Sequence, residues 1–376
     1  MKRRNFMLAA SAGAVSVLSA VPRQALSASR VVRFGQSASL TGGQASYGKD
    51  VRDGIAAAFA AANRNEASTG VRFELVTLDD GGVRSRCLQN ALTLVDSGVT
   101  ALVGLTSGAG AEACLPVVED AQIALLGTAS GNMGIRAANV SNAFHVRAGY
   151  DAEYKRMVNY AKDFGLRRVG VVYLGDTTKA NLEALTQALA TAGMEPKVTV
   201  AIDRNSSSFE PIATELLNAR LDCVLFTANA APVARIIDHM HRAKFPGLFY
   251  ASSFAGQDLV DTLTSKQQSC VMSMVVPRPN AKGVNVVSQC ERDLALLPGN
   301  ARMGITTLEG YIAGRVAVEA AHSALKVGNL TRNRMREVLA GLRSDLGGYR
   351  VEFAGGTQGS RYVDLIAVDR YGRLVG

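Results

Sequence analysis

The chain has 376 residues, 48% of them hydrophobic and 19% charged, and a formal net charge of +9. That length exceeds one typical core and points to two domains, and the composition excludes a disordered or fibrous protein. Lys2, Arg3, Arg4 and Arg23 fall in a leader without an acid, so from Ser29 onward 37 basic residues face 32 acidic ones, a mild excess with no aromatic-interleaved basic stripe that would mark a nucleic-acid partner.

Residues 1–28 read as an export signal. The twin arginines Arg3-Arg4 precede a weakly apolar stretch from Leu8 to Val21. Small residues in Leu18-Ser19-Ala20 and Leu26-Ser27-Ala28 offer cleavage sites. Both the twin-arginine and the general secretory route remain open. The run is too short and too polar to anchor the chain in a bilayer. The mature protein is therefore expected to be soluble and outside the cytoplasm.

From Val31 strand and helix patterns alternate. Strands are predicted at Val31–Gly35, Val71–Leu78, Thr100–Gly104 and Ile123–Gly127. Helices lie between them, one carrying Val51, Ile55, Ala58, Phe59 and Ala62 on one face, the next near Arg84–Val95 and stopped by Gly98. The pattern restarts with a helix marked by Tyr154, Met157, Val158 and Ala161. Strands follow at Val169–Leu174, Lys197–Ile202, Cys223–Thr227, Leu248–Ala251 and Val271–Val276, with intervening helices such as that of Val233, Ile236, Ile237 and Met240. The tail holds helices at Thr306–Val327 and Arg332–Leu342 and β-type segments at Tyr349–Phe353 and Tyr362–Val368. Apolar runs without alternation fit parallel strands covered on both faces. The fold class is α/β, with two doubly wound lobes and a cleft at the carboxyl ends of their strands.

Three glycine- and hydroxyl-rich loops sit at such strand ends: Gln36–Gly43, Thr106–Gly110 and Gly127–Asn132. Each is expected to open a helix, whose free N–H groups suit a carboxylate or another small anion. The second half offers Gly175-Asp176-Thr177-Thr178, Ala228-Asn229 and Ser252-Ser253 at matching places.

Other motifs are weaker. Gly108-Ala109-Gly110-Ala111-Glu112-Ala113 fits the dinucleotide pattern G-x-G-x-x-G/A, but it follows the third strand and has no acid about 20 residues on. His145 and His322 are isolated, and His239 and His241 point apart on a helix, so no metal or other cofactor is expected. No serine has an evident base, which argues against a hydrolase, and the protein is not expected to be an enzyme. Asp79-Asp80 reads as a helix cap and charge stabiliser. Of five cysteines, Cys87 with Cys114 and Cys270 with Cys290 are candidate disulfides, the first closing a loop of about 28 residues, and Cys223 reads as a core thiol; five free thiols are the alternative.

These residues resemble the type I periplasmic binding proteins of the branched-chain amino acid (Leu/Ile/Val-binding) transport family. The resemblance runs from about Val31 to Leu374. It includes Ser39-Leu40-Thr41-Gly42 with Tyr47-Gly48, Leu78-Asp79-Asp80, Val103-Gly104 with Ser107, and Thr128-Ala129-Ser130-Gly131. It continues through Asn142–Arg147, Thr307–Ala313 and Asp345–Tyr349. It implies two lobes joined by three crossovers, with lobe 1 at 29–147 plus 278–345 and lobe 2 at 148–277 plus 346–376. It also implies a monomer in the periplasm that closes on a solute and docks on an ABC permease and its ATPase. A sensor that presents its closed state to a membrane receptor is the alternative.

By resemblance, the solute carboxylate meets Ser107 and the Ala129-Ser130-Gly131 turn, and Tyr47 lines the solute tail. Thr178, Asn229 and Ser253 face them from the second lobe. Amino-acid binders of this family carry an acid near the place of Ser253, which has no charge. An unpaired buried ammonium costs several kcal/mol. The expected solute is therefore a small carboxylate with an uncharged tail rather than a simple α-amino acid.

Overall fold

In the computed structural model, residues 29–136, 140–203, 206 and 208–376 are described. The export signal read at residues 1–28 lies outside the described residues. The first unit runs β1 (Arg30–Ala38), α1 (Ala45–Asn63), the single turn α2 (Glu66–Thr69), β2 (Val71–Asp79), α3 (Arg84–Asp96), β3 (Ala101–Val103), α4 (Gly108–Ala113), α5 (Leu115–Asp120), β4 (Ala124–Leu126) and β5 (Ala143–Phe144). These strands form one parallel sheet in the order β2-β1-β3-β4-β5.

The second unit follows with α6 (Tyr150–Asp163), β6 (Val169–Leu174), α7 (Lys179–Thr191), β7 (Pro196–Ile202), α8 (Glu210–Asn218), β8 (Cys223–Thr227), α9 (Ala230–Arg242), β9 (Leu248–Ala251), α10 (Gly256–Ser265) and β10 (Cys270–Met274). The chain then returns to the first unit with α11 (Asn285–Leu294), α12 (Ile305–Val327), α13 (Arg332–Gly341) and the hairpin β11 (Arg343–Asp345) and β12 (Arg350–Glu352). It ends at the second sheet with β13 (Asp364–Val368) and β14 (Leu374–Val375). That sheet has the order β14-β13-β10-β9-β8-β6-β7. β13 runs antiparallel to β10, so the sheet is parallel except at this edge.

Both sheets are covered on both faces, as their unbroken apolar strands require. In the first sheet Leu102, Ile123 and Leu125 pack under α3, α4 and α5, while Phe34, Val103 and Leu126 face α1 and α12. In the second, Val169, Val171 and Leu225 meet α6 and α7, while Val172, Val224 and Phe226 turn to the opposite core with α9 and α10. The one-residue offset sends neighbouring side chains to opposite faces. α1 and α12 approach closely because Gly54 and Gly310 lack side chains. A Cβ on Gly54 would lie 2.0 Å from the Thr307 carbonyl oxygen, and one on Gly310 2.2 Å from that of Val51.

Three segments cross between the sheets: after β5, after β10 and after β12. They are tied together at the crossing. The Tyr349 hydroxyl sits 2.8 Å from the Val146 carbonyl oxygen and 3.0 Å from that of Val275. His145 bridges to the third segment, its N–H donating to the Thr357 carbonyl at 2.8 Å.

The five cysteines are free and buried. Cys87 and Cys114 do meet, Sγ to Sγ at 3.9 Å, without a bond. The expected proximity of Cys270 and Cys290 is corrected: Cys270 opens β10 with its Sγ on the Phe249 carbonyl, whereas Cys290 belongs to α11, which packs on α1 and α12.

Candidate functional site

The carboxyl ends of the two sheets face each other across a cleft, and the loops there decide what it offers. The first loop is already occupied by the protein itself. Asp80 accepts from Ser37 Oγ at 2.8 Å and Ser39 Oγ at 2.9 Å. Asp79 accepts from Thr41 Oγ1 at 2.6 Å and from the Leu40 N–H at 2.8 Å. These bonds hold the Asp79 carboxyl below its ordinary value, the Thr41 hydroxyl contributing most. The acids brace the loop rather than cap α3, whose N-cap is Val83.

The other two loops converge. Ser107 is the N-cap of α4, its Oγ accepting from the Gly110 N–H at 3.0 Å. Gly108 has no side chain because Ser130 is in its way: a Cβ there would lie 2.5 Å from Ser130 Oγ. Ser130 Oγ accepts from the Asn132 N–H at 3.2 Å and lies 3.3 Å from the Tyr150 hydroxyl. The third loop does not open an α-helix as expected; it leads into a short 3-10 turn at Gly134–Arg136.

Ser107, Ser130 and Asn132 share a pocket with Tyr150, Tyr154, Asp176, Thr177, Thr178, Thr227, Ser252 and Phe254. Tyr150 and Tyr154 stack at 5.6 Å and 17° to form one wall. Phe254 stands edge-on to Tyr150 and to Tyr47, with ring centroids 6.4 and 6.3 Å away. Burial pushes the Tyr150 phenol up to about 12 against the pull of Arg147, so it stays neutral and able to donate. The Ser252 hydroxyl, also at the pocket, is buried without a protein partner. Such a group is an open position for a bound polar atom.

Of the other residues singled out in the sequence, Tyr47 and Asn229 line an adjoining pocket with Phe254, Asp258 and Asp261. The Tyr47 hydroxyl donates to the Ala129 carbonyl at 2.9 Å, which fixes the third loop. Gly131 gives the Tyr150 ring its room, since a Cβ there would lie 2.5 Å from the ring. Ala129, Gly131 and Ser253 line neither pocket.

Ser253 departs most from its expected place. Its hydroxyl accepts from Arg147 Nη2 at 2.7 Å and donates to Glu153 Oε1 at 3.0 Å. Its N–H donates to Glu153 Oε2 at 2.9 Å, and Ser273 Oγ reaches the same oxygen. Arg147 also pairs with Glu153 and with Glu309, the latter at 3.1 Å. The position without charge in the sequence thus has a carboxylate beside it, supplied by Glu153 of α6. The buried cluster joins the first crossover to α6 on one side and α12 on the other. Burial pushes the Glu309 carboxyl up, with Arg147 pulling against it.

The cleft is closed. The Met133 N–H donates to Asn181 Oδ1 at 2.7 Å and Thr178 Oγ1 to Asn132 Oδ1 at 3.3 Å on one rim. On the other, Gln257 Oε1 accepts from the Ile305 N–H at 3.1 Å and Arg302 pairs with Asp261. Sequence reasoning missed Tyr150 and gave Arg147 no role, whereas Asn132 and Ser252 lie in loops it had singled out. Tyr150 and Arg147 sit where the first crossover becomes a helix, and that boundary was their available signal. Among the described residues no His, Cys, Asp or Glu group is arranged to hold a metal ion, and no helix is long and apolar enough to cross a membrane.

Solved structures share this architecture. A possible leucine/isoleucine/valine-binding protein from Rhodopirellula baltica superposes with a TM-score of 0.86 at 24% identity, covering 93% of this chain and 97% of its own. A branched-chain amino acid ABC transporter protein from Thermus thermophilus with bound valine gives 0.83 at 15% identity, over 92% and 95%. A fatty acid ABC transporter substrate-binding protein from Thermomonospora curvata gives 0.80 at 16%, over 92% and 91%. In sequence, the Leu/Ile/Val-binding protein BraC3 of Rhizobium johnstonii is 25% identical over 198 residues, 52% of this chain and about half (54%) of that protein. Residues 31–368 match the family described as periplasmic binding protein. With nearly the whole described chain matched and two sheet-based units closed over a shared pocket, the chain belongs to the periplasmic binding protein family and has its type I fold.

Proposed function

We propose that this chain is an exported, periplasmic substrate-binding protein of an ABC importer, and that it takes a small carboxylate-bearing solute by closing on it. The observation that carries this reading is the pairing of Ser107 and Ser130 on one side of a closed pocket with Thr178 and the unpartnered Ser252 hydroxyl on the other. A solute that touches both sides stabilises the closed arrangement, which a permease and its ATPase then recognise. Micromolar binding requires about −8 kcal/mol. Two or three hydrogen bonds to a charged group, at about 1.5–3 kcal/mol each, supply much of it, and burial of the tail supplies the rest.

The tail lies against Tyr150, Tyr154 and Phe254, which favours an apolar or aromatic body. The solutes named for the Thermus and Thermomonospora proteins both carry a carboxylate. No step here needs catalysis, and the protein works as a monomer.

Calorimetry with leucine, its keto-acid analogue and a set of aromatic acids tests the reading. The keto or aromatic acid is expected to bind at micromolar concentration, and Ser130→Ala to weaken it about tenfold. Tight binding of leucine or valine overturns the uncharged tail. Failure of every organic acid overturns the carboxylate.

A further inference from the structure

We propose that the groove beside the first and third crossovers is a second binding site, separate from the cleft, for a small multiply charged oxyanion. The groove holds a cavity of about 620 Å3 and is lined from three directions. Met133 and Arg136 come from the first unit, Asp151 and Lys155 from α6 with Gln187 of α7 beside them, and Gln358 and Arg361 from the third crossover. Among the described residues no ion pair engages Arg136, Lys155 or Arg361, although most of the ion pairs elsewhere in the chain are made by arginine. Three unpaired cations in one concavity are a charge arrangement that an anion completes.

Arg136 gives the clearest sign. Its Nη1 donates to Gln358 Oε1 at 2.6 Å and to the Arg147 carbonyl at 3.2 Å. Its Nη2 donates to the Ser130 carbonyl at 3.2 Å and the Ala148 carbonyl at 3.4 Å. Every acceptor is neutral, and Nε is buried with no partner. A guanidinium in such surroundings is ordinarily paired with a carboxylate or phosphate, which match its fork. Burial first, and then the neighbouring Arg147, lower its pKa to about 9, with Asp151 and Glu153 pulling the other way. Asp151 is the single acid of the lining; it attracts Arg136 but is within ion-pair distance of no cation among the described residues.

Lys155 and Arg361 are exposed and supply mobile charges at the rim, while Arg136 fixes the floor. Three cations against the one acid of the lining favour a di- or tricarboxylate or a pyrophosphate-like anion over a monovalent one.

The test is calorimetry on the full mature chain in a low-salt buffer, where surface charge is least screened, with citrate and inorganic pyrophosphate as separate probes. At least one is expected to bind saturably with one equivalent. The double variant Lys155→Gln/Arg361→Gln, whose side chains are exposed, is expected to weaken it at least tenfold with the circular dichroism unchanged. Ser107→Ala, in the cleft, is expected to leave it unaltered, which keeps this result independent of the cleft solute. Citrate alone binding assigns a polycarboxylate, pyrophosphate alone a phosphate. No saturable binding of either probe, full binding by the double variant, or loss of binding in Ser107→Ala alone overturns the site.

Discussion

Ser253 and Glu153 are joined twice, hydroxyl to Oε1 at 3.0 Å and N–H to Oε2 at 2.9 Å. The serine therefore spends its hydrogen bonds on holding a buried carboxylate next to Arg147, away from both pockets. Ser253→Ala is expected to lower stability by about 1–3 kcal/mol, because it leaves buried charged groups short of a partner. Solute affinity is expected to change less than threefold. Thermal unfolding and calorimetry on the same variant separate the two effects. An affinity loss of tenfold at unchanged stability returns Ser253 to the cleft.

Arg147 is the stronger case. Among the described residues it is the cation that pairs with both Glu153 and Glu309, and all three are buried. Arg147→Met leaves two carboxylates facing each other. Breaking a buried pair in this way costs about 3–5 kcal/mol, so the variant is expected to unfold far earlier in urea. Adding Glu153→Gln is expected to recover part of the loss, and the absence of any recovery would contradict the pairing.

The strand and helix pattern was readable where a strand is an apolar run of its own. Val169–Leu174, Cys223–Thr227 and Leu248–Ala251 fall where their composition puts them. Gly98 and Gly193 end their helices at φ +81 and +67, where a side chain is strained. The converging loops at Ser107 and Ser130 were equally visible, since glycine and hydroxyl residues at strand ends have few other uses. What the residues did not reveal is who already holds those hydroxyls. Asp79 and Asp80 reach back to Ser37, Ser39 and Thr41 across paired strands, and Arg147 meets Glu309 from 162 positions away. No local spacing encodes such pairs, so the first loop and Ser253 looked available to a solute when they are not.

The crossing of α1 over α12 yields a test of packing. A methyl group on Gly310 has to displace the Val51 carbonyl, which is backbone and cannot turn aside. Gly310→Ala is expected to cost about 1–3 kcal/mol or more despite the better helix propensity of alanine. Gly283→Ala meets nothing within 4 Å and is expected to be neutral. Urea midpoints of the two variants decide the matter, and equal midpoints would rule out the close approach.

The rims should differ in strength. Arg302 is half exposed, and its pairs with Asp258 and Asp261 are screened by water, worth about 0–1 kcal/mol. Asn181 is buried and is the acceptor for the Met133 N–H. Losing it strands that donor at about 1–3 kcal/mol. Asn181→Ala is therefore expected to raise the rate of solute release more than Arg302→Ala, and only the latter effect should fade at high salt. Stopped-flow release rates in the reverse order would show that the charged rim governs closure.

Asp50, beside Arg302 at the second rim, makes stability depend on pH. Burial pushes its carboxyl up to about 7, Arg302 pulls it down, and Asp258, Asp53 and Asp261 push it further up. Its Oδ2 lies 4.0 Å from Arg302 Nη2 and accepts no hydrogen bond. In the unfolded chain the carboxyl titrates near 4. As pH rises from there, the unfolded state gives up the proton while the folded state still holds it. The stabilisation tied to that proton is complete at low pH and falls until the folded carboxyl itself ionises near 7. Asp50→Asn has no proton to lose. The wild type is expected to melt close to Asp50→Asn at pH 5 and a few degrees below it at pH 8. A constant gap across that range, or one that closes with rising pH, would mean that the carboxyl is ionised throughout and that Arg302 outweighs its burial.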